Sequence, residues 1–385
     1  MTRDLKIKKI EVFKVPPRWL FLKMTTENGL TGWGEPVVEG KADSVAAAVK
    51  ELGDQLIGHD ATKIEDAFQI MYRGGFYRGG PILTSAMSGI EQAMWDIKGK
   101  YFNAPVYDLL GGRVRNKIQV YRWIGGDHPH DVVNEATKAV SQGYKAVKMN
   151  GTEELKWIDS YDKLDACVER VAAIRESFPE LGIAVDFHGR VHKTMAKILI
   201  RKLEPYDLMF VEEPVLCENE EEFVRLRQMA NMPLAAGERN FTRWGFKKML
   251  MSGGIDIIQP DVSHCGGIWE LRKIAAMAEA FDVAVAPHCP LGPIALAACL
   301  TVDFCTPNAF IQEQSAGIHY NEGYDLLNYL KNREIFEYKD GNCEIWKTPG
   351  LGIEVDEDYV RRMARQGHDW HNPIWRDSEG AVAEW

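Results

Sequence analysis

The chain opens in alternation. Residues 6–15 and 20–26 carry apolar side chains at near-alternate positions, and a third such run, 30–34, follows Glu27-Asn28-Gly29. Asn-Gly between alternating runs is the strongest short signal for a hairpin, so this stretch predicts an antiparallel sheet. Apolar positions then recur at helical spacing over 43–57, 63–72 and 85–102. Arg73-Gly74-Gly75-Phe76-Tyr77-Arg78-Gly79-Gly80-Pro81 separates the last two and predicts a non-helical loop, either a flexible connection or a lid over a site.

From Lys117 the texture changes. Short apolar runs at 118–123, 146–150, 183–188, 208–213, 234–238, 255–261, 283–288 and 309–313 alternate with helical stretches such as 162–178, 220–229, 241–251 and 268–281. Alternating strands and helices give a parallel sheet, open or closed, and eight units favour the closed barrel. No G-x-G-x-x-G marks the first strand-to-helix turn, so a dinucleotide site lacks its fingerprint. Beyond Glu313, 324–334 reads as helix and 340–355 as hairpin or loop. The end, with Trp370, Pro373, Trp375 and Trp385, reads as a tail packed against the body. The expected organisation is an α+β unit over 1–115, a barrel over 116–320 and a C-terminal segment over 321–385.

Composition narrows the partners. A net charge of −10 argues against nucleic acid or an anionic membrane, but a local field can still hold a small anionic substrate. No apolar run approaches the ~20 residues needed to cross a bilayer. Met1-Thr2-Arg3-Asp4 leads straight into the first alternating run, without the apolar core of a signal peptide. The seven Cys form no C-x-x-C and read as reduced core thiols, which fits a cytoplasmic protein.

The chemistry stands at the strand ends, where a barrel keeps its site. Successive runs close on Asp186 and His188, Glu212, Glu238, Asp261, His288 and Glu313. From Asp186 onward the acids and His288 recur at roughly 25-residue steps, the length of one strand-helix unit. Any one of them alone would pass for a helix cap; six in register are better read as one constellation. Asp186, Glu212 and Glu238 form an all-oxygen set suited to Mg²⁺. Of the pair 212/213 only one can face inward, and the spacing favours Glu212. The same alternation puts His188 beside Asp186. Asp261 next to His288 would fix the tautomer of the imidazole and raise its basicity, the arrangement of a general base. His192, His264 and His319 read as structural or surface residues.

With these residues in place the chain resembles the mandelate-racemase-like branch of the enolase superfamily. The likeness spans the whole chain and includes Val15-Pro16-Pro17-Arg18-Trp19, Gly75-Phe76-Tyr77-Arg78-Gly79-Gly80-Pro81, Asp186-Phe187-His188-Gly189-Arg190, Ala286-Pro287-His288-Cys289-Pro290-Leu291-Gly292-Pro293 and Asn372-Pro373-Ile374-Trp375-Arg376. The resemblance implies a TIM-like (β/α)7β barrel with an N-terminal α+β capping domain completed by the C-terminal segment. It implies one Mg²⁺ per subunit on Asp186, Glu212 and Glu238, His288 as proton acceptor tuned by Asp261, and a charged His188 as proton donor. Glu313 would steady an enediolate, and Arg18, Trp19 and the 73–81 loop would meet substrate. The implied activity is dehydration of an acid sugar, D-galactonate first, in a homo-oligomer. The alternatives are another aldonate such as gluconate or mannonate, an epimerase, and, in a different class, a barrel that binds without turnover. Lys148-Met149-Asn150 departs from the Lys-x-Lys of many relatives. Asn150 stands where a second base would be and would bind substrate with Lys148, which is left to neutralise the substrate carboxylate or bond the enediolate oxygen.

Overall fold

Asn28 and Gly29 turn the chain as expected: Gly29 takes φ +86° and the Thr26 amide donates to the Leu30 carbonyl at 3.0 Å. The computed structural model describes residues 4–385, so the expectation for Met1–Arg3 lies outside the described residues. Strands β1 (Ile7–Val15), β2 (Trp19–Thr26) and β3 (Thr31–Gly34) form an antiparallel sheet. The helix Gly80–Phe102 packs on this sheet so closely that a Cβ at Gly34 would collide with the Gly89 carbonyl. That helix starts earlier than the apolar pattern predicts. Pro81 sits in its first turn, where a missing N–H costs nothing.

Two short strands follow, β4 (Lys117–Gln119) and β5 (Arg122–Trp123), where one run was expected. The barrel continues with β6 (Ala146–Asn150), β7 (Gly182–Asp186), β8 (Phe210–Glu212), β9 (Leu234–Ala236), β10 (Ile257–Ile258) and β11 (Ala284–Val285). β5 to β11 make one parallel sheet in chain order. The eighth run, 309–313, forms no continuous strand. Parallel bridges Val285↔Ala309 and Val120↔Gln312 join it to both edges and close the ring. β4 leaves the ring to pair antiparallel with β12 (Asn342–Glu344).

Inside the ring, Tyr121, Phe210, Ile257 and Ile311 interleave with Ala146, Ala184, Ala235 and Ala286. Large side chains filling the space left by alanines make the barrel a packed core rather than a pore. The site rests on this layer.

The expected helix at 324–334 resolves into two 3-10 turns, Leu326–Tyr329 and Arg333–Phe336, because Leu330 between them bridges to Val355. The helix Glu357–Gln366, capped by Asp356 on the Tyr359 amide at 3.0 Å, then returns to the first sheet. Glu357 pairs with Lys23 at 2.7 Å and Arg361 with Glu11 at 3.3 Å. Among the described residues no helix is long and apolar enough to cross a membrane.

Two buried carboxylates from the N-terminal part pin barrel helices by their first turns. Glu35 accepts from the amides of Gly292 (2.7 Å) and Ala295 (2.9 Å), at the start of the helix Pro293–Phe304. Glu91 accepts from Ile268 (2.7 Å), Trp269 (2.8 Å) and the Trp95 indole (2.7 Å). Free N–H groups and the positive end of a helix dipole both favour a carboxylate there. Glu91→Gln turns one acceptor into a donor that faces an N–H. It is expected to cost about 2 kcal/mol, read as a lower urea midpoint at unchanged m-value.

Candidate active site

β7 closes on Asp186 and β8 on Glu212, in register with each other and with Asn150 at the end of β6. Just beyond, the backbone takes positive φ at His188 (49°), Glu213 (40°) and Gly237 (139°). These turns stop the ladders, which is why the strands are shorter than their apolar runs. Glu212 and Glu213 diverge as alternation requires. Glu212 accepts from Lys148 at 2.9 Å, while Glu213 is held by Arg239 at 2.7 Å. His188 reaches the site by a different route from the one expected. It is not a strand residue. Its amide donates to Asp186 Oδ1 at 2.8 Å from a left-handed turn, and its Nε2 lies 3.4 Å from Asp186 Oδ2.

Lys148 is the charge that holds the acids together. It is 2% exposed, with Nζ at 2.7 Å from Glu313, 2.9 Å from Glu212 and 3.4 Å from Asp186. Burial alone would lower its pKa, but Glu212 and Glu313 outweigh it and hold the ammonium well above its usual range. Burial raises the Glu212 carboxyl, and the neighbouring Asp186 charge adds to that.

Asp261 Oδ2 receives His288 Nδ1 at 2.8 Å. The other ring nitrogen faces Glu238 at 3.1 Å and Glu313 at 3.9 Å. Burial would push this imidazole down, but Glu238 and Glu313, together with Asp261, hold it well above the usual value. His264, also on Asp261 at 3.7 Å, is anchored by Ser85 at 3.0 Å. His188 behaves in the opposite way. Burial drives it down to about 4 against the pull of Asp186.

Asp186, Glu238, His188, His288, Glu313, Lys148 and Asn150 all line one cavity of about 870 Å³. Asn150 Oδ1 on this wall is buried without a protein partner, and so is Oε1 of Glu212, which itself is not part of the wall. The donors Asp186, Glu212 and Glu238 suit a hard divalent cation, and the orphaned Glu212 oxygen is a free acceptor for one. Among the described residues no three such donors converge at ligand distance, since Lys148 draws Asp186 and Glu212 while His288 draws Glu238.

The outer wall departs further from expectation. Arg18 lines the cavity, bonded to Asn321 (3.3 Å) and the Pro290 carbonyl (3.2 Å) and paired with Glu39. Trp19 does not line it; the ring is fully buried behind Arg18, whose guanidinium sits 4.7 Å from its centroid. The 73–81 loop is absent from the lining, and Phe76 and Tyr77 point to solvent, 91% and 88% exposed, so the loop covers nothing here. His319, read as structural or surface, lines the cavity beside Tyr320. Sequence reasoning also left Arg190, Trp375 and Trp385 out of the site. The signal was present in the aromatic tail and in the strings around Arg190 and Trp375.

Residues 16–111 match the mandelate racemase / muconate lactonizing enzyme N-terminal domain, and residues 131–359 the enolase C-terminal domain-like family. The chain belongs to the mandelate racemase / muconate lactonizing enzyme family of the enolase superfamily. Within this family, D-galactonate dehydratases of Cronobacter sakazakii and Pectobacterium atrosepticum are 55% and 56% identical to it over 382 residues, covering 99% of this chain and 100% of theirs. Among solved structures, an enolase from Agrobacterium radiobacter with sodium and L-malate bound superposes with a TM-score of 0.88 at 30% identity, covering 98% of this chain and 99% of that one. A member of the enolase superfamily from Salmonella Typhimurium gives 0.84 at 31%, covering 93% and 98%.

Removing the central ammonium of this family member takes their shared counter-charge from Asp186, Glu212 and Glu313. Lys148→Met is expected to destabilise the fold by about 3–5 kcal/mol, read by denaturant unfolding in the presence of a chelator.

Proposed function

We propose that this chain is a hydro-lyase that converts D-galactonate to 2-dehydro-3-deoxy-D-galactonate and water. The observation that carries the reading is the pair of histidines facing one acid-lined cavity, His288 fixed by Asp261 and His188 fixed by Asp186. Relatives with that activity, more than half identical over the full chain, support the substrate.

The proton α to a carboxylate is weakly acidic because its loss puts a second negative charge on the same group. His288 Nε2 takes the C2 proton, and Asp261 stabilises the imidazolium that forms. The C2–H pair becomes the C1=C2 bond as a carboxylate π pair moves onto oxygen, and the resulting enediolate lies beside the Lys148 ammonium and Glu313. It then returns to form C2=C3 as the C3–O bond breaks. His188 delivers a proton to the leaving hydroxyl, which departs as water. The anionic substrate adds a negative charge beside His188, which favours its protonated form. The remaining enol takes a proton at C3, loses the one on its C2 oxygen and becomes the 2-keto acid.

Asp186, Glu212 and Glu238 are the residues that would hold one Mg²⁺ per subunit. Bound there, the cation would supply charge neutralisation for the substrate carboxylate and for the acids around it. Asn150 in place of a basic residue disfavours a two-base epimerisation through that position and so supports dehydration. The seven free cysteines support a cytoplasmic setting.

The test is NMR of six-carbon aldonates incubated with the protein and Mg²⁺ in D₂O. Galactonate should yield a 2-keto-3-deoxy acid with deuterium at C3. His288→Ala and His188→Ala should each lower kcat by ~10²–10⁴-fold. Only His288→Ala should also abolish exchange of the C2 proton. Full dehydration by either variant would remove that histidine from the mechanism, and turnover of a different aldonate alone would overturn the substrate.

A further inference from the structure

The acids and histidines account for the reacting end of the substrate and leave a second feature of the cavity unused. Arg190 is 3% exposed and lines the cavity, yet its Nε is buried without a partner. Nη1 reaches only the Thr152 carbonyl, at 3.3 Å. Of the acids around it, Asp186 pairs with Lys148 and His188, and Glu154, on the same cavity wall, makes no ion pair with it. No ion pair to Arg190 occurs among the described residues. A buried guanidinium left this short of acceptors is costly unless something else supplies oxygen atoms to it.

The guanidinium is held in place. Its carbon lies 4.4 Å from the ring centroid of Trp375, so it is stacked rather than free to swing. Trp375 belongs to the C-terminal tail, which folds back on itself. The Ala383 amide donates to the Trp375 carbonyl at 3.1 Å, Arg376 bridges to Val382, and Glu379 ties the turn to Lys156. The same turn carries Trp385 to within 6.1 Å of the His188 ring, edge-on, and 6.3 Å from Tyr320.

We propose that Arg190, stacked on Trp375 of the C-terminal tail, grips the hydroxyls of the acid sugar beyond C3. The inference rests on the dehydratase reading. The carboxylate end belongs with Lys148 and the acids, and His188 marks C3. A donor group on the tail side of His188 therefore meets C4 to C6. A guanidinium presents several donors in a fixed plane, which suits a row of hydroxyls and leaves the chemistry at C2 and C3 untouched.

The test compares galactonate with the 2,3-dihydroxy acid of the same configuration that lacks the hydroxyls at C4 to C6. The wild-type enzyme should favour galactonate strongly in KM. Arg190→Met should raise KM for galactonate by about 10-fold or more, leave kcat within a few-fold, and shrink the preference by the same factor. Trp375→Ala, which removes the platform and keeps the guanidinium, should move KM in the same direction by less. Arg190→Lys should recover part of the loss. Equal losses on both acids, or a fall in kcat alone, would mean that Arg190 only supports the loop around His188, and would overturn the assignment. A wild-type protein that turns over neither acid would instead overturn the dehydratase reading beneath it.

Discussion

Everything near the barrel mouth answers to one constraint, the gathering of carboxylates in a place largely closed to water. Two like charges 4 Å apart repel by about 4 kcal/mol at the effective dielectric of a protein. Asp186, Glu212 and Glu313 are all nearly fully buried, and a single ammonium stands among them. Lys148 can do this because parallel register sets its strand beside that of Asp186, and that one beside Glu212. The imidazoles complete the compensation, His288 on Glu238 and Asp261, His188 on Asp186. The groups that would perform the chemistry are therefore also the groups that make the site tolerable to fold around.

Such a site needs a stiff foundation. The layer of Tyr121, Phe210, Ile257 and Ile311 packed among alanines supplies it from below. From the side, Glu35 and Glu91 fasten two barrel helices to the N-terminal part through backbone N–H groups. Groups that must be positioned to a fraction of an ångström sit at strand ends, which this packing immobilises. The outer wall is built differently. Arg18 comes from the turn between β1 and β2, Arg190 from the loop after β7, and Trp375 and Trp385 from the tail. Loops and tails can change without disturbing the layer below, so recognition of the substrate's far end is separated from the chemistry at its near end.

The tail shows how the two requirements meet. Its tryptophans serve the chain's own cavity, one beneath Arg190 and one against the ring of His188. The turn closed by Arg376 and Val382 brings those rings back to the barrel mouth. An aromatic face stacks a guanidinium without competing for its N–H groups, which leaves them for a ligand.

The alternation of apolar runs, Asn28-Gly29 and the recurrence of polar residues at strand ends were enough to name the sheet, the barrel and the acids and histidines of its mouth. These are local or periodic features, and strand periodicity decides which face a side chain takes. The split between Glu212 and Glu213 follows from it. Tertiary structure alone decided the rest. The left-handed turn that places His188, the retreat of Trp19 behind Arg18 and the exposure of Phe76 and Tyr77 leave no mark in the apolar pattern, and the breaking of 324–334 by the bridge from Leu330 to Val355 depends on a residue far away in the chain. So does the joining of Arg190 to Trp375. Hydrophobic period records which side of an element is buried, and it carries no information about which distant segment does the burying.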